Sequence, residues 1–82
     1  MTLRIRWHPT AEEVLKHIGW HPAERVDAAV IRFAATGLGE IHRSPLGEYR
    51  LRIGPYDVWF TVDRGEGVMD VVSVHGPRRK AR

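Results

Sequence analysis

The sequence predicts an α+β fold in which an N-terminal strand and a helical hairpin pack on a small antiparallel β-sheet. Three observations support this class: an alternating start, two amphipathic helical segments in the first half, and several strand-like segments separated by turns in the second half. At 82 residues the chain is long enough for one domain, residues 1–82, and too short for two.

The first half is predicted to hold one strand and two helices. Residues 2–7 alternate apolar side chains with arginines, which indicates a strand with one buried face. A capping box of Thr10 and Glu13 marks the start of a short helix, and Gly19 is a natural stop. Pro22 suits the first position of a second helix, which should end at the next glycine and pack against the first.

The second half is predicted to be a meander, and its strongest signal is a β-hairpin over residues 48–62. Two alternating runs flank Gly54-Pro55, where glycine supplies positive φ and the turn does not use the proline nitrogen. With a two-residue turn, Arg52 lies opposite Asp57. Residues 68–74 form the last strand, and their apolar density indicates a position inside the sheet.

One face of this hairpin is polar and carries Arg50, Arg52, Asp57 and Trp59, whereas the other face is apolar. We expect the helices to cover the apolar face and the polar face to carry the function. Residues 40–42 are expected to add one further short strand.

Composition excludes several kinds of site. The chain has no cysteine, so disulfides and thiolate metal sites are excluded. Gly19 and Pro22 break any helix that would bring His17 and His21 together, so we expect neither a metal nor a cofactor. No apolar run approaches the roughly 20 residues that span a bilayer, and the start lacks the apolar segment of a signal peptide. We therefore expect a cytoplasmic protein that does not contact a membrane.

The formal charge of +3 is concentrated at the C-terminal end. Four of the thirteen basic residues lie there: Arg78, Arg79, Lys80 and Arg82. Without them, nine basic residues face ten acidic ones, so the body of the chain is close to neutral. Such an end is typical of a solvated tail, and it also suits an arm that contacts nucleic-acid phosphates.

The element order and the run Tyr-Arg-Leu-Arg-Ile-Gly at residues 49–54, followed by Tyr56 and an apolar strand, resemble the RelE/ParE toxin family of bacterial type II toxin–antitoxin systems. The residue-level match is confined to residues 48–79. The resemblance implies the same α+β fold and a cognate antitoxin that wraps the toxin. RelE-type members of that family cleave mRNA in the ribosomal A site without a metal, and ParE-type members inhibit DNA gyrase.

The resemblance also implies which residues act. Arg50 and Arg52 fall where the family places two basic residues, and Arg78 and Arg79 match its basic cluster after the last strand. Arginine suits this position because its planar fork binds phosphate oxygens, on which charge develops during cleavage.

Two positions depart from the family pattern. Asp57 stands where an arginine is usual, and an ion pair of Asp57 with Arg52 would occupy a cation that a phosphate needs. The residues up to Arg82 include no tyrosine after the basic cluster. His75 is the nearby residue that can replace it in proton transfer.

We therefore expect the toxin of a type II system with RelE-like mRNA cleavage on the ribosome, in a form that these departures would weaken. The candidate catalytic residues are Arg50, Arg52, Arg78, Arg79 and His75. The candidate RNA-binding residues are Trp59, which could stack on a base, and Lys80 and Arg82. The alternatives are a gyrase inhibitor and a degenerate toxin fold that binds RNA or protein. The strand arginines also fit a solvated face, and Trp59 also fits packing under the core.

Overall fold

The structure, a computed structural model, describes residues 2–76, and the predicted α+β class is confirmed. The strands are β1 (Arg4–Trp7), β2 (Glu40–Arg43), β3 (Tyr49–Ile53), β4 (Tyr56–Asp63) and β5 (Val68–His75). The helices are α1 (Pro9–His17) and α2 (Trp20–Thr36), both between β1 and β2. Among the described residues, neither helix is long and apolar enough to cross a bilayer.

The five strands form one mixed sheet in the order β1-β5-β4-β3-β2. β2 to β5 make the predicted antiparallel meander, whereas β1 pairs with β5 in parallel. The N-terminal strand is therefore an edge of the sheet and makes the sheet mixed. The two helices carry the chain from this edge to β2 at the other edge.

The hairpin between β3 and β4 has the predicted turn. Gly54 has a φ of +58°, a conformation that glycine adopts without steric cost. Ile53 pairs with Tyr56 and Arg52 with Asp57, so the predicted register is confirmed. This register fixes which side chains reach each face of the sheet.

The core lies between the helices and one face of the sheet. Its buried apolar residues are Ala11, Val26, Val30, Ala34, Leu51, Val58, Phe60, Met69, Val71 and Val74. Phe60 is at the centre, with ring centroids 5.0 Å from Phe33 and 5.4 Å from Tyr49. Because Leu51 and Val58 face the helices, the alternating arginines of β3 face the other way. We call this second side of the sheet the open face.

The start of α1 differs from the prediction. Its N-cap is His8, whose Nδ1 accepts a hydrogen bond from the backbone N–H of Thr10 at 3.3 Å. The predicted capping box of Thr10 with Glu13 was therefore wrong. Pro9 explains the earlier start, because a proline at the first helical position has a suitable φ and gives up an N–H that would have no partner.

The second helix also begins earlier than predicted. Gly19 is its N-cap with a φ of +93°, and Trp20 rather than Pro22 is its first residue. Pro22 still lies in the first turn, where its missing N–H breaks no helical hydrogen bond. The predicted end at Gly37 is confirmed: this residue is left-handed, and its N–H donates to the carbonyl of Phe33 at 2.7 Å.

A β-bulge in β5 decides which of its residues reach the open face. The pairing with β4 shifts between Trp59 and Phe60, so that Phe60 pairs with Val71 and Trp59 with Ser73. The extra residue, Val72, lets β5 keep apolar residues on the core side before and after the bulge. The apolar density of this strand thus reflects both its predicted position inside the sheet and the bulge.

Candidate functional site

The open face presents polar side chains in two rows that run across four strands. From β2 to β5, one row is Glu40, Arg52, Asp57 and His75, and the next row is His42, Arg50, Trp59 and Ser73. The strand alternation aligns the first three members of each row, and the bulge brings β5 into line with them. The sequence-predicted residues Arg50, Arg52, Trp59 and His75 therefore share one face.

Arg50 occupies the centre of this face. Its guanidinium carbon lies 5.9 Å from the centroid of the Trp59 ring, and its side chain is half-buried. The Nε of Arg50 is 3.9 Å from Oδ1 of Asp57, which is too long for a hydrogen bond. Both atoms are shielded from solvent, and neither has a hydrogen-bond partner. This pair is therefore close but incomplete.

The predicted ion pair of Arg52 with Asp57 was wrong. Although the two residues are opposite each other, Asp57 turns toward Arg50, its diagonal neighbour. Arg52 extends toward the turn that follows its own strand, and its Nε donates to the carbonyl of Gly54 at 3.3 Å. The short turn explains this choice, because it leaves a carbonyl within reach of a long side chain. Arg52 is exposed and does not use Asp57 as a counter-ion.

His75 is the last residue of β5 and is exposed at the edge of the same site. Its backbone pairs with that of Asp57, and its Nε2 lies 3.2 Å from the hydroxyl oxygen of Ser73. The strand and this contact hold the ring on the open face. An imidazole can exchange a proton near neutral pH, so the position suits proton transfer.

A shallow depression of about 240 Å³ lies between the N-terminal end of β3 and the C-terminal end of β5. It is lined by Glu48, Trp59, Val72, Ser73 and His75. Two larger cavities, of about 420 and 410 Å³, lie on the helical side and have mainly apolar walls. We place the candidate site at the smaller depression because a histidine, a carboxylate and an aromatic ring meet there.

Sequence reasoning missed Glu48. This residue directly precedes β3, and its carbonyl accepts a hydrogen bond from the N–H of Ser44 at 2.7 Å, which continues the pairing of β2 with β3. Its side chain therefore shares the open face with Arg50 and Arg52. The signal was present, because position 48 continues the alternation of positions 50 and 52.

A second arginine–aspartate pair lies at the opposite edge of the open face. Nε of Arg6 is 2.6 Å from Oδ1 of Asp70, and Nη2 of Arg6 donates to Oδ2 at 3.3 Å. This two-point hydrogen bond holds the pKa of Asp70 below its usual value and raises the pKa of Arg6. Unlike the pair at the centre of the face, this one is complete.

The remaining sequence-predicted residues are not part of this geometry. Arg78, Arg79, Lys80 and Arg82 lie outside the described residues. Within residues 2–76, no three histidine, aspartate or glutamate side chains are grouped as a metal site requires.

Comparison with known proteins agrees with this architecture. A family model described as "ParE toxin of type II toxin-antitoxin system, parDE" matches residues 5–80. No curated protein sequence gives a significant match.

Three solved toxin–antitoxin complexes contain a chain with the same fold. The archaeal RelE–RelB complex from Pyrococcus horikoshii OT3 matches with a TM-score of 0.75 and 19% identity, over 99% of this chain and 100% of that chain. The YoeB–YefM complex from Staphylococcus aureus matches with a TM-score of 0.71 and 20% identity, over 95% of this chain and 100% of that chain. The intact RelBE complex from E. coli matches with a TM-score of 0.71 and 17% identity, over 95% of this chain and 100% of that chain.

Proposed function

This chain belongs to the ParE toxin family of type II toxin–antitoxin systems, and we propose that it arrests translation by cleaving mRNA in the ribosomal A site. The observation that carries this proposal is that Trp59 and His75 line one depression on the open face, while the guanidinium of Arg50 lies 5.9 Å from the Trp59 ring centroid. A cation can stabilise the developing charge, an aromatic ring can stack on a base, and an imidazole can protonate the leaving oxygen when a phosphodiester in single-stranded RNA is cleaved.

Each residue has a chemical role in this reaction. When the 2′-hydroxyl attacks the phosphorus, negative charge grows on the phosphoryl oxygens, and Arg50 and Arg52 stabilise it. His75 gives a proton to the 5′-oxygen that leaves, and solvent water takes the proton of the attacking 2′-hydroxyl. Trp59 offers its ring to a base next to the scissile bond. Side chains of the protein thus supply the charge and the proton at the reacting atoms.

The partner that we propose is a cognate antitoxin. The solved complexes with this fold pair RelE with RelB and YoeB with YefM. A protein that acts on ribosomes must be kept inactive until it is needed, and a bound antitoxin achieves this. A ribosomal target also places the protein in the cytoplasm.

A second candidate function, inhibition of DNA gyrase, is favoured by Asp57. Its carboxylate lies 3.9 Å from Arg50 and would repel a phosphate at that position. The open face would then bind a protein rather than RNA. This activity requires no proton transfer, so it does not depend on His75.

Expression of the chain in bacteria separates the two functions. We expect growth arrest together with new mRNA ends inside codons, and we expect His75→Ala to abolish both. His17→Ala is the matched control, because His17 is an exposed histidine on α1, away from the open face. Arrest without mRNA cleavage, accompanied by loss of DNA supercoiling, would exclude the ribonuclease and support gyrase inhibition.

A further inference from the structure

We propose that Ser73 is a positioning residue for His75: its hydroxyl holds the imidazole so that Nδ1, rather than Nε2, delivers the proton to the leaving 5′-oxygen. This inference rests on the ribonuclease function proposed above, in which His75 protonates that oxygen. Ser73 lines the same depression as His75 and has no part in the steps described so far.

The end of β5 leaves the imidazole in need of such support. Within residues 2–76, β1 pairs with β5 as far as Val71, whereas the pairing with β4 continues to His75. The last residues of β5 are thus held by the hydrogen bonds of one neighbouring strand. The side chain of His75 is exposed, and rotation about χ1 and χ2 can turn its ring. A proton donor that turns freely spends little time in the orientation that the reaction needs.

Ser73 provides a fixed point for the ring. The two residues are two positions apart on β5, and Oγ of Ser73 lies 3.2 Å from Nε2 of His75. The backbone of Ser73 pairs with that of Trp59, so the sheet determines where the hydroxyl lies. A serine side chain has one χ angle that moves a heavy atom, and its contact therefore ties the imidazole to the strand.

A hydroxyl also differs from the partners of two other histidines. Nδ1 of His17 is 3.6 Å from Glu13, and Nε2 of His42 is 3.4 Å from Glu40. Within residues 2–76, no carboxylate oxygen lies within 4.0 Å of the ring nitrogens of His75. A carboxylate bound to this ring would add a negative charge beside the scissile phosphate. A hydroxyl holds the ring without that charge.

The contact determines which nitrogen acts. With Nε2 directed at Ser73, the Nε2–H of the imidazolium donates to Oγ, and Nδ1–H is left for the substrate. The bond from phosphorus to the 5′-oxygen breaks as this oxygen takes the Nδ1 proton. The ring is then neutral and keeps its proton on Nε2, and Ser73 gives up no proton. Water returns a proton to Nδ1 after the products leave.

The first test is NMR on the purified chain without ribosomes. The three-bond couplings of the β protons of His75 report its χ1 angle. We expect the couplings of one rotamer in the unchanged chain and averaged couplings in Ser73→Ala. Ser73→Thr keeps the hydroxyl and should keep the single rotamer. Thr61→Val is the matched control, because it removes a hydroxyl from the open face outside the depression.

The second test is single-turnover cleavage of mRNA on purified ribosomes with an open A site. We expect Ser73→Ala to slow cleavage at saturating protein by about 10- to 10²-fold, because the proton donor is no longer oriented. The protein concentration that gives half the maximal rate should stay within about twofold, since Ser73 acts through His75 and not on the RNA. Ser73→Thr should recover most of the rate, and Thr61→Val should retain it.

A substrate with sulfur in place of the 5′-oxygen at the scissile bond shows whether Ser73 acts through His75. Sulfur leaves without being protonated, so Ser73→Ala should cleave this substrate as fast as the unchanged chain does. If Ser73→Ala keeps a single χ1 rotamer or the full rate with the oxygen substrate, the positioning role is wrong and the ribonuclease function stands. If the unchanged chain cleaves neither substrate, the ribonuclease function is wrong, and the role of Ser73 in it is wrong as well.

Discussion

Two arginine–aspartate pairs lie on the open face of the sheet, and they differ in completeness. Arg6 and Asp70 are directly opposite on β1 and β5, and they form two hydrogen bonds, the shorter of 2.6 Å. Arg50 and Asp57 are diagonal neighbours on β3 and β4, and their closest atoms are 3.9 Å apart. The same residue types thus form a hydrogen-bonded ion pair at one edge of the sheet and a pair without a hydrogen bond at its centre.

The difference shows that the available partners control what an arginine can do. Arg6 and Asp70 satisfy each other, whereas Nε of Arg50 and Oδ1 of Asp57 are shielded and have no hydrogen-bond partners. A phosphate offers arginine two oxygens in the geometry of its fork. Arg50 therefore gains more from a phosphate than Arg6, whose bonds are already made.

The largest expected effect is a difference in cleavage rate between the Arg50 and Arg6 variants. Arg50→Ala should lower the single-turnover rate of mRNA cleavage on the ribosome by about 10²- to 10³-fold, because a donor to the developing charge is lost. Arg6→Ala, the matched control at the other pair, should leave the rate within about twofold of the unchanged chain. Equal losses from both variants would show that the two pairs do not differ in function.

A smaller effect is expected at Trp59, whose ring lies beside Arg50 and not beside Arg6. Trp59→Ala should weaken mRNA binding on the ribosome by about 1–3 kcal/mol, because a stacked base loses its platform. Trp59→Phe keeps an aromatic face and should retain most of the affinity. Unchanged binding in the alanine variant would assign Trp59 to packing alone. The measurement is the concentration of protein that gives half the maximal cleavage rate.

Removal of the negative charge should change the cleavage rate at Asp57 and the stability of the fold at Asp70. Asp57→Asn should raise the cleavage rate by about two- to fivefold, since a cross-strand ion pair of this kind holds a cation by only about 0.2–1 kcal/mol. Asp70→Asn should leave the cleavage rate unchanged. It should lower the denaturant concentration at half-unfolding, because it removes the hydrogen-bonded ion pair with Arg6. A loss of activity in Asp57→Asn would mean that this carboxylate assists the reaction.

The smallest effect concerns stability in acid. The bond to Arg6 holds the pKa of Asp70 below its ordinary value of 3.8. The pair therefore contributes stability above that pH, and the contribution is lost as the pH falls through the lowered pKa of the folded state. We expect the denaturation midpoints of the unchanged chain and Arg6→Ala to differ at neutral pH and to converge in acid. A difference that persists in acid would show that Arg6 stabilises the fold by packing.

Much of the fold could be predicted because local patterns agree with it. Alternation on both sides of Gly54-Pro55 determined the hairpin register, and the apolar stripes of the helices indicated which face they cover. The helix starts were harder, since several capping residues compete within a few positions. At α1 the preference of Pro9 for the first helical turn prevailed over the capping box of Thr10 and Glu13.

The site could be predicted only in part. Alternation alone places Arg50, Arg52 and Trp59 on one face, whereas the position of His75 depends on a bulge that has no marker in the sequence. Which arginine Asp57 approaches is decided by the conformations of long side chains, and Arg52 finds a closer acceptor at the turn. Glu48 was overlooked although the predicted hairpin began at this residue, whose position continues the alternation of Arg50 and Arg52.

The most direct test of the proposed function is to incubate the purified chain with ribosomes that hold a defined codon in the A site. We expect a cut within that codon that leaves a 2′,3′-cyclic phosphate and a 5′-hydroxyl, and we expect Arg50→Ala to lose it while Arg6→Ala keeps it. Intact mRNA with the unchanged chain, under conditions in which it inhibits DNA supercoiling by gyrase, would contradict the assignment of the open face to RNA.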